Sequence, residues 1–282
     1  MLLWKKIAFD KFKEEEKMRK SSVCLLVLLW VMMPLQQAFS DLDYSKYLAP
    51  KAWQAIQSGQ GVLYSIDPTF SKPDTGLSQA LVVEAKNGWL LSVAHGISKY
   101  PAVAYGKDSQ YWFVFRGTNF RAELKNISHH PVDLALFKIE AGDLSKLKSI
   151  SLAKNAEPFE EYYSFSQRVS PGSFGGFEVD HNIPWKALLI DRQRKTLMIP
   201  HGPFISMPLD VERLTFDKAV APGFSGAGVF DGDGKVIGVI QALSGGLSLA
   251  VSYDTVFNFL KDYLPEGDVS ATSSSSTTKT TD

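Results

Sequence analysis

Gly226-Ala227-Gly228-Val229-Phe230-Asp231-Gly232-Asp233-Gly234-Lys235-Val236-Ile237-Gly238-Val239-Ile240-Gln241-Ala242 is the stretch whose reading decides the fold class. Two apolar runs flank a doubled Asp-Gly, and Asp-Gly supplies the positive φ angles that a tight hairpin requires. The stretch therefore predicts two antiparallel strands, 226–230 and 236–242. Lys86-Asn87-Gly88 is a second signal of the same kind and joins the runs 79–85 and 89–93. Further short apolar or alternating runs lie at 61–66, 111–115, 134–139, 186–191, 196–199 and 247–251, separated by Gly, Pro, Asn and Asp. Strands of this length and spacing predict an all-β sandwich or barrel.

Helical patterning is confined to the flanks. Tyr253-Asp254-Thr255 leads into 256–264, where Val256, Phe257, Leu260 and Leu264 share one face until Pro265 stops the helix. Residues 43–58 predict a short helix ahead of the first strand, with Pro50 counting against it. The tail 265–282 is rich in Ser and Thr and poor in apolar residues, a composition expected to stay disordered.

The chain has 282 residues, 45% hydrophobic and 21% charged, enough apolar content for a substantial core. Formal charge is zero, but residues 1–40 hold seven Lys/Arg against four Asp/Glu, which leaves the remainder at 23 minus 26, or −3. A weakly acidic body gives no electrostatic reason to expect nucleic acid as a partner.

Residues 1–40 predict upstream sequence followed by a signal peptide. Arg19-Lys20 precede the eleven-residue apolar run 23–33, then Pro34 and a small-x-small site at Ala38-Phe39-Ser40, so cleavage is expected before Asp41. The run falls short of the roughly 20 residues that span a bilayer, and no membrane span is expected after cleavage. Residues 1–17 are charged and carry no targeting pattern, and Met18 stands where a compact signal peptide begins. Cys24, the one cysteine, lies inside the apolar run and reads as apolar filler. Export without disulfides suits a bacterial periplasmic or extracellular protein whose core suffices alone.

Three segments carry chemistry when taken together. Leu91-Ser92-Val93-Ala94-His95-Gly96-Ile97 is a strand ending in a histidine, and Asp133-Leu134-Ala135-Leu136-Phe137-Lys138-Ile139 is an aspartate leading into a strand. Pro222-Gly223-Phe224-Ser225-Gly226-Ala227-Gly228 brackets a serine with glycines. Each alone reads as an ordinary structural segment. Their order, with spacings of 38 and 92 residues, resembles the trypsin-like peptidases, and more closely the disulfide-free bacterial branch that includes the HtrA protease domain.

The likeness covers residues 60–264, is densest from 216 to 264, and is thin between 144 and 211. It implies two antiparallel six-stranded β-barrels, chymotrypsin-like, at about 59–150 and 151–264 of a peptidase domain 59–264, with a C-terminal helix and the active site in the cleft between barrels. Residues 41–58 form a segment ahead of that domain.

The resemblance implies a serine endopeptidase with His95, Asp133 and Ser225 as its triad. His95 takes the serine proton and returns it to the leaving amine, and Asp133 fixes the imidazole tautomer. The backbone N–H groups of Gly223 and Ser225 form the oxyanion hole. Ala219, six residues before the serine, lies at the base of the pocket for the side chain preceding the cut. Gln241, Ala242 and Leu243 line the cleft and pair with substrate backbone as an added strand. No acidic group awaits Arg or Lys, and Ile240 stands where glutamate-specific relatives carry histidine. A small or medium apolar side chain is therefore expected, with Leu243 and Leu249 narrowing the pocket.

Phe224 replaces a polar residue of the family pattern and is expected to alter the approach of substrate. Ala227 replaces a second glycine. The alternative function is a catalytically inactive trypsin-like module that holds a peptide or protein in the same cleft, with Phe224 as its support. An α/β-hydrolase esterase fits worse, because there the histidine comes last.

No cofactor or metal is expected. His129-His130 lack a carboxylate or cysteine cluster at ligand spacing, and His181 and His201 receive no role. Asn126-Ile127-Ser128 matches a glycosylation sequon by chance. The aromatics Tyr162, Tyr163, Phe165, Phe174 and Phe177 are expected to pack the core or cover the cleft. The expected partner is a protein or peptide substrate, with no nucleic acid, and the sequence leaves the oligomeric state open.

Overall fold

The structure, a computed structural model, describes residues 44–66, 78–96, 110–128, 131–153, 155–171, 177–200 and 206–264. The signal-peptide region, His129-His130, His201, Phe174 and the tail 265–282 lie outside the described residues, as do the side chains of Phe177 and His181.

Helix α1, Pro50–Gly59, precedes the strands, with Pro50 at its first turn rather than against it. Proline is tolerated there because the first N–H groups of a helix have no intrahelical acceptor and the ring fixes a helical φ. Ala52 and Ile56 are buried and Trp53 meets Phe165 edge-on at 5.0 Å, so one face of α1 packs inward.

Strands β1 (Gln60–Ile66), β2 (Ser78–Glu84), β3 (Trp89–Val93), β4 (Gln110–Phe115), β5 (Thr118–Ser128) and β6 (Leu134–Ala141) close a barrel in the order β1-β2-β3-β6-β5-β4. All of these pairings are antiparallel. Gly88 takes φ 72 in the predicted β2–β3 turn, a conformation that glycine adopts without a Cβ penalty. Leu63, Ala80, Val82, Leu90, Phe113, Phe120 and Phe137 fill the interior.

Strand β7 (Ser151–Leu152) pairs in parallel with β12 (Lys235–Ser244). A second closed ring comprises β8 (Glu161–Pro171), β9 (Phe177–Pro200), β10 (Ser206–Phe216), β13 (Leu247–Ser252), β12 and β11 (Gly228–Phe230), which pairs back to β8. Its core gathers Tyr162, Trp185, Leu214, Phe216, Phe224, Val229, Ile237 and Ile240. The Asp-Gly turn joins β11 to β12 as expected. Asp231 Oδ1 accepts from the N–H groups of Asp233 at 2.9 Å and Lys235 at 2.8 Å, and Gly234 has φ 79.

Helix α2, Tyr253–Leu260, starts three residues earlier than expected and buries Tyr253, Val256 and Leu260. Its first turn simply continues from β13, which ends at Ser252. Among the described residues no helix is long and apolar enough to cross a membrane.

A polar side chain joins the two barrels. Gln60, 5% exposed at the start of β1, donates from Nε2 to the Phe165 carbonyl on β8 and accepts from the Gly228 N–H on β11 at 3.0 Å. Gln60→Leu keeps the volume but removes the acceptor of a buried N–H. It is expected to destabilise the protein by about 1–3 kcal/mol in urea unfolding. A midpoint unchanged from the parent protein would contradict this role.

Candidate active site

The antiparallel pairing of β3 with β6 sets Val93 opposite Leu134. His95 therefore follows the end of one strand at the point where Asp133 precedes the start of its partner, and the Ala94 N–H donates to the Asp133 carbonyl at 3.2 Å. Asp133 has φ 55, a left-handed conformation that Asp tolerates better than most residues. It is 2% exposed. One carboxylate oxygen accepts the His95 backbone N–H at 2.8 Å, and the other lies 2.7 Å from Nδ1 of the ring. Both ends of the histidine are thus held by one carboxylate.

Ser225 lies in the connection between β10 and β11. Its Oγ is 3.0 Å from His95 Nε2. The three residues expected to act together form one continuous chain of hydrogen bonds, from buried carboxylate through a partly exposed imidazole to a hydroxyl. In this order the imidazole can accept a proton from the hydroxyl while its other nitrogen keeps a carboxylate partner.

The serine loop is a tight turn in which the Ala227 N–H donates to the Phe224 carbonyl at 2.8 Å. Gly226 at φ 85 lies directly against β2. A Cβ at this position would stand 2.1 Å from the Gln79 carbonyl oxygen and 2.8 Å from Ser92 Oγ. Gly226→Ala is expected to destabilise the fold by on the order of 3 kcal/mol or more, from overlap and positive φ together. Thermal unfolding measures it, and a parental melting temperature would contradict the close approach.

Gly223 has φ 102 and its carbonyl accepts from Gln79 Nε2 and Ser166 Oγ, while the Ser225 carbonyl accepts from the Gln79 N–H. Phe224, between them, is 1% exposed and packs in the second core rather than over the cleft. The expectation that it alters substrate approach is corrected: the ring anchors the loop from beneath, because an apolar side chain at the foot of a tight turn gains more in the barrel than in water.

The Gln241 side chain is bound within the protein. The residue is 2% exposed. Nε2 donates to the Val132 carbonyl at 2.6 Å and reaches the Asp133 carbonyl at 3.4 Å, while Oε1 accepts from Arg213 Nη1. Arg213 is fully buried on β10; burial lowers its pKa to about 10, opposed by the Asp133 carboxylate. Ala219 is exposed, Ala242 half-buried, and Leu243 53% exposed at the end of β12, while Leu249 is buried beside it on β13.

Sequence reasoning passed over Gln79, Ser92, Ser166 and Arg213, all buried polar groups around this site. Ser78 and Ser92 share a 2.7 Å hydrogen bond, and Ser92 Oγ donates to the Gln79 carbonyl at 2.7 Å. A serine or glutamine within a short strand reads as solvent-facing, so nothing in the pattern marked them.

Residues 80–239 match the trypsin-like peptidase domain. Solved structures resemble this fold at low identity. The Rv3671c protease from M. tuberculosis in its active form is 18% identical with a TM-score of 0.56 over 80% of this chain and 90% of that one. Its inactive form is 17% identical with a TM-score of 0.52 over 76% and 92%. The HtrA-type protease AlgW with tripeptide is 18% identical with a TM-score of 0.54, over 75% of this chain and 62% of that one. No curated protein matches the chain by sequence. Two closed barrels, a serine in a glycine-bracketed turn and a domain match across more than half the sequence converge: the chain belongs to the trypsin-like peptidase family, serine endopeptidases of this fold.

Proposed function

We propose that the protein is an exported serine endopeptidase that cleaves extended or unfolded protein segments through His95, Asp133 and Ser225. The observation that carries this reading is the unbroken series Asp133 Oδ2, His95 Nδ1, His95 Nε2, Ser225 Oγ at 2.7 and 3.0 Å. As Ser225 Oγ bonds to the scissile carbonyl carbon, its proton passes to His95 Nε2, and the carbonyl oxygen becomes an oxyanion held by the Gly223 and Ser225 N–H groups. The imidazolium keeps Nδ1–H on Asp133 and gives the Nε2 proton to the leaving amine. Water then repeats the cycle and releases the acyl group from Ser225. The serine proton leaves on the amine and the proton drawn from water restores the Ser225 hydroxyl, so the site regenerates itself.

The side chain preceding the cut is small or medium and apolar. Ala219 puts no charge in the pocket and Leu243 and Leu249 border it. Export rests on the predicted signal peptide, with a mature N-terminus at Asp41 in the periplasm or outside the cell. The burial of Phe224 removes the sequence support for a binding module without turnover.

Incubation of the purified chain with denatured casein, with mass spectrometry of the products, tests the reading. Cleavage after Ala, Val or similar residues, absent with Ser225→Ala, is the expected result. Equal peptide binding by the two proteins with turnover by neither would overturn it.

A further inference from the structure

We infer that Gln79 is a positioning residue of the oxyanion-binding loop, clamping the Gly223–Ser225 segment from the opposite barrel. This rests on the reading of Gly223 and Ser225 as the oxyanion donors.

Gln79 sits on β2 of the first barrel and is 2% exposed. Its backbone N–H donates to the Ser225 carbonyl at 2.7 Å. Its side-chain Nε2 donates to the Gly223 carbonyl at 3.0 Å and to the Gln167 carbonyl at 2.7 Å, and the Gln167 N–H donates to Oε1 at 3.3 Å. A primary amide has two N–H donors and one acceptor oxygen. Two carbonyls on one side and an N–H on the other fix which end is nitrogen.

One residue therefore grips the loop at both ends of the three-residue segment that carries the proposed donors. Ser166 Oγ also donates to the Gly223 carbonyl at 3.0 Å, and Nε2 lies 3.4 Å from that hydroxyl. Gly223 needs such restraint. At φ 102 it occupies a region open to glycine, where either flanking peptide can rotate at small energetic expense. Fixing the Gly223 carbonyl fixes its ψ, and fixing the Ser225 carbonyl limits the coupled rotation about Phe224. The two N–H groups are then held in place before substrate arrives, which is the condition for electrostatic stabilisation of a transition state.

Outside the strand ladder, the hydrogen bonds of Gln79 run to Ser225, Gly223, Gln167, Ser166 and Ser92 rather than to His95 or Asp133, so its contribution separates from theirs. Positioned donors act on the tetrahedral state more than on bound substrate, and their loss lowers kcat with little change in KM.

The test compares the full chain with its Gln79→Met and Ser166→Ala variants. Active sites are counted by fluorophosphonate titration. Each protein is then measured for kcat and KM on a peptide amide, for Ki of a peptide boronic acid, and for its pH–rate profile. Gln79→Met is expected to lower kcat per titrated site by about 10- to 100-fold and to weaken the boronic acid comparably, with KM changed less than about 2-fold. The acid limb of the profile keeps its midpoint. Parental kcat per site and parental boronic acid affinity, with only fewer active sites or a lower melting temperature, would overturn the inference and leave Gln79 a fold residue.

If Gln79→Met does not fold, Ser166→Ala decides, because it removes the second donor to the same carbonyl. A several-fold fall in kcat per site supports the clamp, and an unchanged value overturns it. A parent protein that neither titrates nor turns over would instead remove the oxyanion reading on which the inference rests.

Discussion

Ser225→Ala is expected to lower kcat on a peptide substrate by about 10⁵- to 10⁶-fold while the melting temperature stays near the parental value. The hydroxyl is the one group placed to attack, and His95 Nε2 at 3.0 Å has no other described nucleophile within reach. Its removal takes away the acyl-enzyme route, and what remains is the modest acceleration that donors and binding give to water. The fold should not notice. Ser225 is held by its carbonyl, through the Gln79 N–H, and by the buried Phe224 ring beside it, and alanine keeps both. A variant with a tenth of parental activity would mean that the nucleophile lies elsewhere.

Asp133→Asn is expected to lower kcat by about 10⁴-fold near neutral pH, with binding of substrate little changed. The direction follows from the two oxygens of Asp133. One accepts the His95 backbone N–H, so the asparagine must place its carbonyl oxygen there and turn its NH₂ toward the ring. Nδ1 then becomes an acceptor, and the imidazole proton moves to Nε2. A protonated Nε2 facing Ser225 cannot take the hydroxyl proton, so the base is present in the wrong tautomer. Steady-state kinetics of the purified variant measure it. A loss below about 10-fold would show that the carboxylate does no more than fill space.

The parts of this molecule legible in its sequence are those where one local signal suffices. Asn87-Gly88 and the Asp231–Gly234 turn announced their hairpins through backbone conformations few other residues accept. His95 and Asp133 could be paired only through their order with Ser225 and the family resemblance it carries, and the structure sets the strands they abut side by side. The strands that escaped notice are the ones whose polar residues have partners inside the protein. Ser164 and Ser166 are fully buried on β8, with hydroxyls bound to the Gly228 and Gly223 carbonyls, so an interior strand spells like a loop. Arg213 hides β10 in the same way.

Strand β9 looked like two pieces because Arg192-Gln193-Arg194-Lys195 interrupts its apolar run. The ladder with β10 nevertheless continues through them, and Arg192 forms a forked pair with Glu212 at 3.0 and 3.1 Å. Strand β5 alternates Phe120 and Ala122 inward with Arg121 and Glu123 outward, but its polar and charged residues together outnumber its apolar ones. The side-chain partners of Gln79 and Gln241 were beyond reach for a deeper reason. These partners lie on distant segments, and the burial of an amide is set by them rather than by its own strand.

The most direct test of the central claim is treatment of the purified chain with a fluorophosphonate, followed by mass-spectrometric mapping of the modified residue. The account predicts one adduct, on Ser225, that disappears in His95→Ala although the serine is still present. An unmodified Ser225, or an adduct whose formation does not depend on His95, would contradict it.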